Sequence, residues 1–241
     1  MVAAALRVAT FDCYGTLVDW EGGVASFLYR LALRRGDAHP GPASAMRERW
    51  EVLQFGLLAG TYRPYKAILT ESLHLWTDER GYRWDDADGE ALIRAMRSWQ
   101  PFPDTRAALL QAKAQGVKLV IVSNTDHDII EHTLRQIAVP FDDVITAEDC
   151  RAYKPAHAVF EQAIARIGVP AEEHLHVAFG FKYDIAPAQA LGRRTAWVNR
   201  FMEARPGSAT PDHEWRDLWG LAELVGGAGP VPPQDAPATA R

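Results

Sequence analysis

Apolar positions along this chain follow two different periods, and the change from one to the other divides it. Residues 8–11, Val-Ala-Thr-Phe, form a short apolar and β-branched run that stops at a carboxylate, Asp12, and then at a turn residue, Gly15. Such a run predicts a buried strand that delivers Asp12 to its carboxyl end. After Asp19 the spacing becomes helical. Residues 20–35, 43–59, 64–76 and 85–99 read as four amphipathic helices with no strand between them. Gly36-Asp37-Ala38-His39-Pro40, Gly60-Thr61 and Gly81 break them, and Pro64 suits a first helical turn. From Gln100 onward the two patterns alternate. Helices are predicted over 101–115, 126–137, 155–167 and 185–191, and strands over 117–122, 143–146, 176–179 and 195–198. Glu214-Trp215 adds a short strand before a last helix over 218–225.

That order predicts an α/β fold, a doubly wound and mostly parallel sheet with an inserted all-helical cap. The core would comprise residues 1–18 and 98–225, and the cap residues 19–97. Residues 226–241, rich in Gly, Pro and Ala, offer little to bury and predict a disordered tail. A chain of 241 residues is long enough to bury a full hydrophobic core without staples.

Composition narrows the partners. A formal net charge of -5 provides no basic footprint for nucleic acid. The two cysteines, Cys13 and Cys150, lack metal-type spacing and fit free thiols in a reducing compartment. Arg7 interrupts the apolar run over 1–6, which lacks a basic leader and a cleavage pattern, so it does not read as a signal peptide. No stretch reaches the ~18 uninterrupted apolar residues of a membrane span. The expectation is a cytoplasmic protein without nucleic-acid or membrane partners.

Each predicted strand of the core ends in polar residues. Residue 122 is followed by Ser123-Asn124-Thr125-Asp126, the strand ending at 146 leads to Tyr153-Lys154-Pro155, and the strand ending near 179 leads to Asp184. Parallel strands bring these groups to the same edge as Asp12, where open α/β sheets bind ligands. An aspartate with an ordinary pKa near ~3.9 is ionised at neutral pH and needs no base to become a nucleophile. Alone, Asp12 reads equally well as a turn or helix cap. Beside Lys154, Ser123 and a second carboxylate, it suits an anionic substrate, with Asp184 positioning a water or a metal.

Asp12-Cys13-Tyr14-Gly15-Thr16, Ser123-Asn124, Tyr153-Lys154-Pro155 and Asp184, in that order, resemble the four motifs of the haloacid dehalogenase superfamily. The resemblance runs from residue 7 to about 200, with the helical insertion in the expected place. Phosphatases of that superfamily carry a second aspartate two places after the nucleophile and a Gly-Asp ahead of the last aspartate. Here Tyr14 and Phe179-Gly180 stand instead. Asp-x-Tyr-Gly-Thr resembles the type II (S)-2-haloacid dehalogenases, which use no metal and no cofactor. Their aspartate attacks the carbon bearing the halogen, and water then hydrolyses the resulting ester.

The resemblance implies Asp12 as nucleophile, with Thr16 and Ser123 hydrogen-bonding the nucleophile or the substrate carboxylate. It implies Lys154 as counter-charge and Asp184 as the group that orients water. Arg47 and Asn124 match the residues that cradle the halide, and Tyr14, Phe179 and Phe181 join them in lining the substrate site. A homodimer is implied as well. Two departures stand out: where the pattern has Ser-x-Asn-x-x-Asp, this chain has Phe179 and Phe181 before Asp184, and a usual tyrosine six residues after the lysine is Phe160. Lys182 or Tyr183 is expected to take over part of the missing support. The aromatic pair would narrow or dry the pocket and favour a small haloacid.

Competing readings are a magnesium-dependent phosphatase of the same superfamily acting on a small phosphorylated metabolite, and a binding or dimerising protein without activity. Asp126, His127, Asp128, Glu131 and His132 could form a metal site, but read better as a helix N-cap and a solvated face. His174 and His176 read as surface or core, and Trp20, Trp50, Phe55, Tyr62 and Tyr65 as packing or pocket lining.

Overall fold

The structure, a computed structural model, describes residues 5–227. The tail expected from residue 226 lies almost wholly outside the described residues, as does most of the run over 1–6. Strand β1 (Val8–Phe11) is buried along its whole length. Four helices follow before the next strand: α1 (Trp20–Arg34), α2 (Ala43–Leu58), α3 (Tyr65–Glu79) and α4 (Asp86–Met96). The alternating half then runs α5 (Thr105–Ala114), β2 (Lys118–Ser123), α6 (His127–Ile137), β3 (Asp143–Thr146), α7 (Ala147–Cys150), α8 (His157–Ile167) and β4 (His174–Ala178). A π turn over Phe181–Ile185 leads into α9 (Ala186–Ala190), β5 (Thr195–Val198), β6 (His213–Trp215) and α10 (Trp219–Leu224).

All five strand pairings are parallel, in the order β3-β2-β1-β4-β5-β6. The chain builds outward from β1 on one side through β2 and β3, then crosses to build β4, β5 and β6 on the other. The carboxyl ends of β1 and β4 therefore flank a topological switch point, the crevice where open α/β sheets bind ligands. Helices cover both faces, which explains why β1 and β4 are buried runs rather than alternating ones. Thr10, His174 and His176 are the polar side chains buried within those two strands.

Several boundaries moved. Strand β2 ends at Ser123 rather than at 122, and β4 begins at His174, two residues before its predicted start. The expected helix over 85–99 stops at Met96, and Trp99 packs beyond it as a core residue. The predicted helix over 185–191 is preceded by the π turn, in which the Asp184 and Ile185 amides both donate to Gly180 O, at 2.8 and 3.2 Å. Short α7 has no counterpart among the expected elements; a reciprocal capping box between Thr146 and Asp149 starts it.

Asp126 is the N-cap residue of α6, as expected, with its carbonyl accepting from Ile129 N and Ile130 N, but its side chain makes no capping bond there. Its two carboxylate oxygens accept from Tyr65 N at 2.8 Å and Lys66 N at 2.9 Å, so it caps α3 from the loop after β2. Helix α3 begins after Pro64, which has no side-chain acceptor, and its orphan N–H groups are satisfied from across the fold. Lys66 and Arg97 add ion pairs to Asp128 at 2.9 and 2.6 Å. The helical insertion is thereby fastened beside the carboxyl edge of the sheet.

A second fastening lies behind that edge. Arg200, just after β5, donates to both oxygens of buried Asp104 at 3.0 Å and to Thr16 O at 2.8 Å, while Asp104 also accepts from Leu218 N at 2.7 Å. Replacing Arg200 by Met should leave that carboxylate buried without its cation and destabilise the fold by roughly 3 kcal/mol or more, read as a lower urea midpoint. Adding Asp104→Asn to Arg200→Met should restore part of the loss.

Candidate active site

Asp12 follows the last residue of β1 and is held by a tight loop. Leu17 N and Val18 N both donate to Cys13 O, and Gly15 N donates to Val18 O, at 2.8 to 3.1 Å. Gly15 sits at φ 96°, and a Cβ built on it would come within 2.7 Å of the Phe179 ring. Both the backbone conformation and the close approach call for glycine. The loop returns the Thr16 hydroxyl to Asp12, to which it donates at 2.7 Å, while that same hydroxyl accepts from Phe179 N at 2.8 Å.

Lys154 arrives from the loop between α7 and α8 and is almost fully buried. Its ammonium donates to Asp12 Oδ1 at 2.9 Å, Asp184 Oδ1 at 2.6 Å and Val122 O at 3.0 Å. All three N–H groups are thus used, as a buried ammonium requires. Asn124 holds the lysine's backbone, donating to Lys154 O at 3.0 Å and accepting from Lys154 N at 2.7 Å.

Asp184 sits in the π turn and takes a second hydrogen bond on Oδ1, from His176 Nε2 at 3.1 Å. Burial works against its charge, but the Lys154 ammonium and the His176 hydrogen bond outweigh it and hold the carboxyl below the usual range. Asp12 goes the other way: burial pushes it up, Asp184 adds to the rise, and Lys154 only partly offsets both. Lys154 itself is held charged, because the two carboxylates overcome its own burial. Of two carboxylates sharing one cation, Asp184 keeps the firmer charge and Asp12 the more basic oxygen.

These groups open onto a cavity of about 250 Å³. Ser123 and Asn124 line it from β2 and the loop after it, and the Ser123 hydroxyl is buried without a partner among the described residues. Tyr14 also lines it, although its hydroxyl is turned to Thr133 at 2.8 Å. From the helical insertion come Trp20, Arg47, Phe55 and Tyr65, whereas Trp50 and Tyr62 are not in the lining. Arg47 does not stand free: it pairs with Glu51 and lies 3.5 Å from Glu21 and 3.7 Å from Glu48.

Phe179 and Phe181 line the pocket as expected, each with a structural anchor. Phe179 O accepts from Trp197 Nε1 at 2.9 Å, and the Phe181 ring meets Trp197 edge-on at 5.1 Å. Lys182 reaches the lining without touching Asp184, and Tyr183 stacks on Phe55 at 4.1 Å, closing the pocket between sheet and insertion. Support for Asp184 comes instead from His176, whose place in the sequence predicts only a surface or core residue. A histidine alternating with another inside an apolar strand was the signal available. Among the described residues, no group of three or more His, Cys, Asp or Glu side chains could hold a metal ion.

A family model described as a haloacid dehalogenase-like hydrolase matches residues 6–192. An (S)-2-haloacid dehalogenase of Pseudomonas fluorescens is 30% identical over 218 residues, covering 88% of this chain and 93% of that relative. (S)-2-haloacid dehalogenase H-109 of Pseudomonas putida is 29% identical over 226 residues, covering 89% and 96%. Among solved structures, an L-2-haloacid dehalogenase superposes with a TM-score of 0.78 at 25% identity, covering 92% of this chain and 100% of that one.

Two outcomes test the geometry. A Cβ at Gly180 would stand 2.5 Å from Asp184 Oδ2; Gly180→Ala should therefore displace the carboxylate and cost activity on the order of 100-fold while the urea midpoint moves little. His174, behind the site, is pushed down to about 3 by burial and by the positive charges of its neighbours. The unfolded chain takes up that proton near ~6.5, so between the two values it binds more protons than the folded protein. Stability should fall as pH is lowered through that window, by up to ~1.4 kcal/mol per unit from this residue, and His174→Leu should flatten the slope.

Proposed function

The chain belongs to the haloacid dehalogenase-like hydrolases, and from that premise we propose that it hydrolyses the carbon–halogen bond of small 2-haloacids through an ester on Asp12. The observation that carries this reading is the Lys154 ammonium between two buried carboxylates, one at each end of a pocket-facing pair. A cation in that place lets an ionised Asp12 face an anionic substrate in a dry cavity, where charge interactions are strong. The names of the relatives, (S)-2-haloacid dehalogenases, give the substrate class.

In the first step an Asp12 oxygen attacks C2 in line with the halogen. The carbon–oxygen bond forms as the carbon–halogen bond breaks, and the halide leaves with the bonding pair. Holding the carboxylate and carbon in near-attack geometry can supply ~7 kcal/mol or more of the barrier. Ser123 binds the substrate carboxylate, a role supported by a buried hydroxyl that has no partner among the described residues. Asn124 retains one free amide hydrogen for the halide beyond the one given to Lys154 O. Arg47 joins it once the substrate draws its guanidinium from Glu51 and Glu21.

In the second step water attacks Asp12 Cγ. Asp184 orients that water and takes one of its two protons. The tetrahedral adduct then collapses: the alkyl oxygen leaves with the ester bonding pair and receives that proton to become the hydroxyl of a 2-hydroxyacid, and the second proton passes to solvent as Asp12 is restored as a carboxylate. Displacement inverts C2 and hydrolysis at Cγ does not touch it, so (S)-2-chloropropionate yields (R)-lactate. A phosphatase would want a second carboxylate beside Asp12, and the Tyr14 hydroxyl there is committed to Thr133. The homodimer that accompanies the family resemblance belongs to this reading and is measured by sedimentation.

Halide release from chloroacetate and (S)-2-chloropropionate should persist in EDTA and fall on the order of 10⁴-fold or more in Asp12→Asn. A single turnover in heavy-oxygen water should label the Asp12 carboxylate and leave the product hydroxyl unlabelled. Label in the product alone, or magnesium-dependent phosphate release in place of halide release, would overturn the reading.

A further inference from the structure

Two imidazoles lie buried behind Asp184, and the reaction steps above use neither. The Thr10 hydroxyl stands 2.8 Å from His174 Nε2 and 2.8 Å from His176 Nδ1, and His176 Nε2 stands 3.1 Å from Asp184 Oδ1. Adjacent strands create this chain. Thr10 pairs with His176 across β1 and β4, and His174, two residues earlier, lies on the same face of β4. All four residues are buried, and the edge of the Phe160 ring meets the His176 ring at 5.6 Å.

The polarity of the chain follows from counting hydrogens. Asp184 is held ionised and can only accept, so His176 Nε2 carries a hydrogen. In a neutral His176, Nδ1 is then the acceptor for the Thr10 hydroxyl hydrogen, and Thr10 Oγ1 accepts from His174 Nε2–H. His174 Nδ1 is left as a bare lone pair, and it has no partner among the described residues. The opposite polarity would need a doubly protonated His176 and an N–H stranded at His174 Nδ1. Leaving a donor stranded costs more than leaving a lone pair empty.

Asp184 Oδ1 is thus filled by two donors, Lys154 and His176, while Oδ2 lies against Gly180, and Asp184 and Gly180 both line the cavity. Phe179 and Phe181 occupy the places where the family resemblance implies a serine and an asparagine, and they can hold no carboxylate.

We propose that His176, fixed as its Nε2–H tautomer by Thr10 and His174, is the positioning residue for Asp184 and replaces that absent polar support. The inference rests on the ester reading for its effect on rate, but the tautomer it assigns does not. His176 keeps Oδ2 of Asp184 aimed at the water that attacks Asp12 Cγ, so its loss slows ester hydrolysis rather than halide displacement.

The test uses His176→Leu, His176→Gln and Thr10→Val in the full chain. Histidine nitrogen shifts of the unmodified protein should show both imidazoles protonated at Nε2 and bare at Nδ1, and Thr10→Val should disturb both. With chloroacetate, His176→Leu should give a burst of halide equal to the enzyme present and then a kcat lower by about 10- to 100-fold. KM should fall as well, and the carboxymethyl ester of Asp12 should accumulate in the intact mass spectrum. His176→Gln, which keeps a donor near the same place, should recover most of kcat. Thr10→Val, which preserves side-chain shape, should slow the same step and guards against a misfolded His176 variant.

A folded His176→Leu with unchanged kcat and no accumulated ester would overturn the proposal. So would equal losses in His176→Leu and His176→Gln without a burst, or an Nδ1–H tautomer at His176. Absence of halide release from the unmodified protein would instead overturn the dehalogenase reading, while the nitrogen shifts still decide the tautomer.

Discussion

One buried ammonium carries the architecture of the site. Lys154 satisfies its three hydrogens on Asp12, Asp184 and the end of β2, and none of the three acceptors is near it in sequence. Removing two carboxylates and a lysine from water is costly, and the arrangement survives only where Coulomb attraction and complete hydrogen bonding outweigh that cost. The ends of three strands must therefore converge within a few ångströms. A parallel sheet that reverses its build direction at β1 achieves this, because β2 and β4 both flank β1 and present their carboxyl ends to one crevice.

Everything around the lysine limits its freedom. Asn124 grips its backbone, Thr16 fixes the far oxygen of Asp12, and His176 shares the near oxygen of Asp184. Arg200 and Asp104 hold the loop that carries Thr16 from behind. A constellation locked in this way is arranged before substrate arrives, which is the condition under which electrostatic stabilisation costs no reorganisation during the reaction. The helical insertion is fastened by the same logic: Asp126 caps α3, Tyr153 donates to Arg63 O at 2.7 Å, and Tyr183 stacks on Phe55. Two of these three contacts come from residues adjoining Lys154 and Asp184, so the pocket roof and the buried charged cluster share their supports.

Beside Asp184, where the family resemblance implies polar residues, this chain has aromatic ones with partners of their own. Phe181 gains an apolar partner in Trp197, and Phe160 packs its edge against His176. The carboxylate's hydrogen bond then comes from the strand beneath rather than from the turn around it. Both solutions satisfy the same requirement, that a buried carboxylate accept enough donors to stay ionised.

The succession of apolar runs and helical periods in the sequence was enough to determine the α/β class, the helical insertion and the strand-end location of Asp12, Ser123, Lys154 and Asp184. These features are local: they depend on side-chain period and on the polar residues that close each run. The N-cap position of Asp126 is legible, but its side-chain bond to α3 is not, and His176 reads only as surface or core, because their partners lie 60 and 8 residues away and no local pattern encodes such pairings. Arg200 gave no signal for the same reason. Arg47 was matched by position, and only the folded protein shows it held by Glu51 and Glu21. The sequence thus determined which groups reach the edge of the sheet. Tertiary structure decided which of them touch, because hydrogen bonds and ion pairs between distant segments depend on strand order and register, and neither is written in the period of a single run.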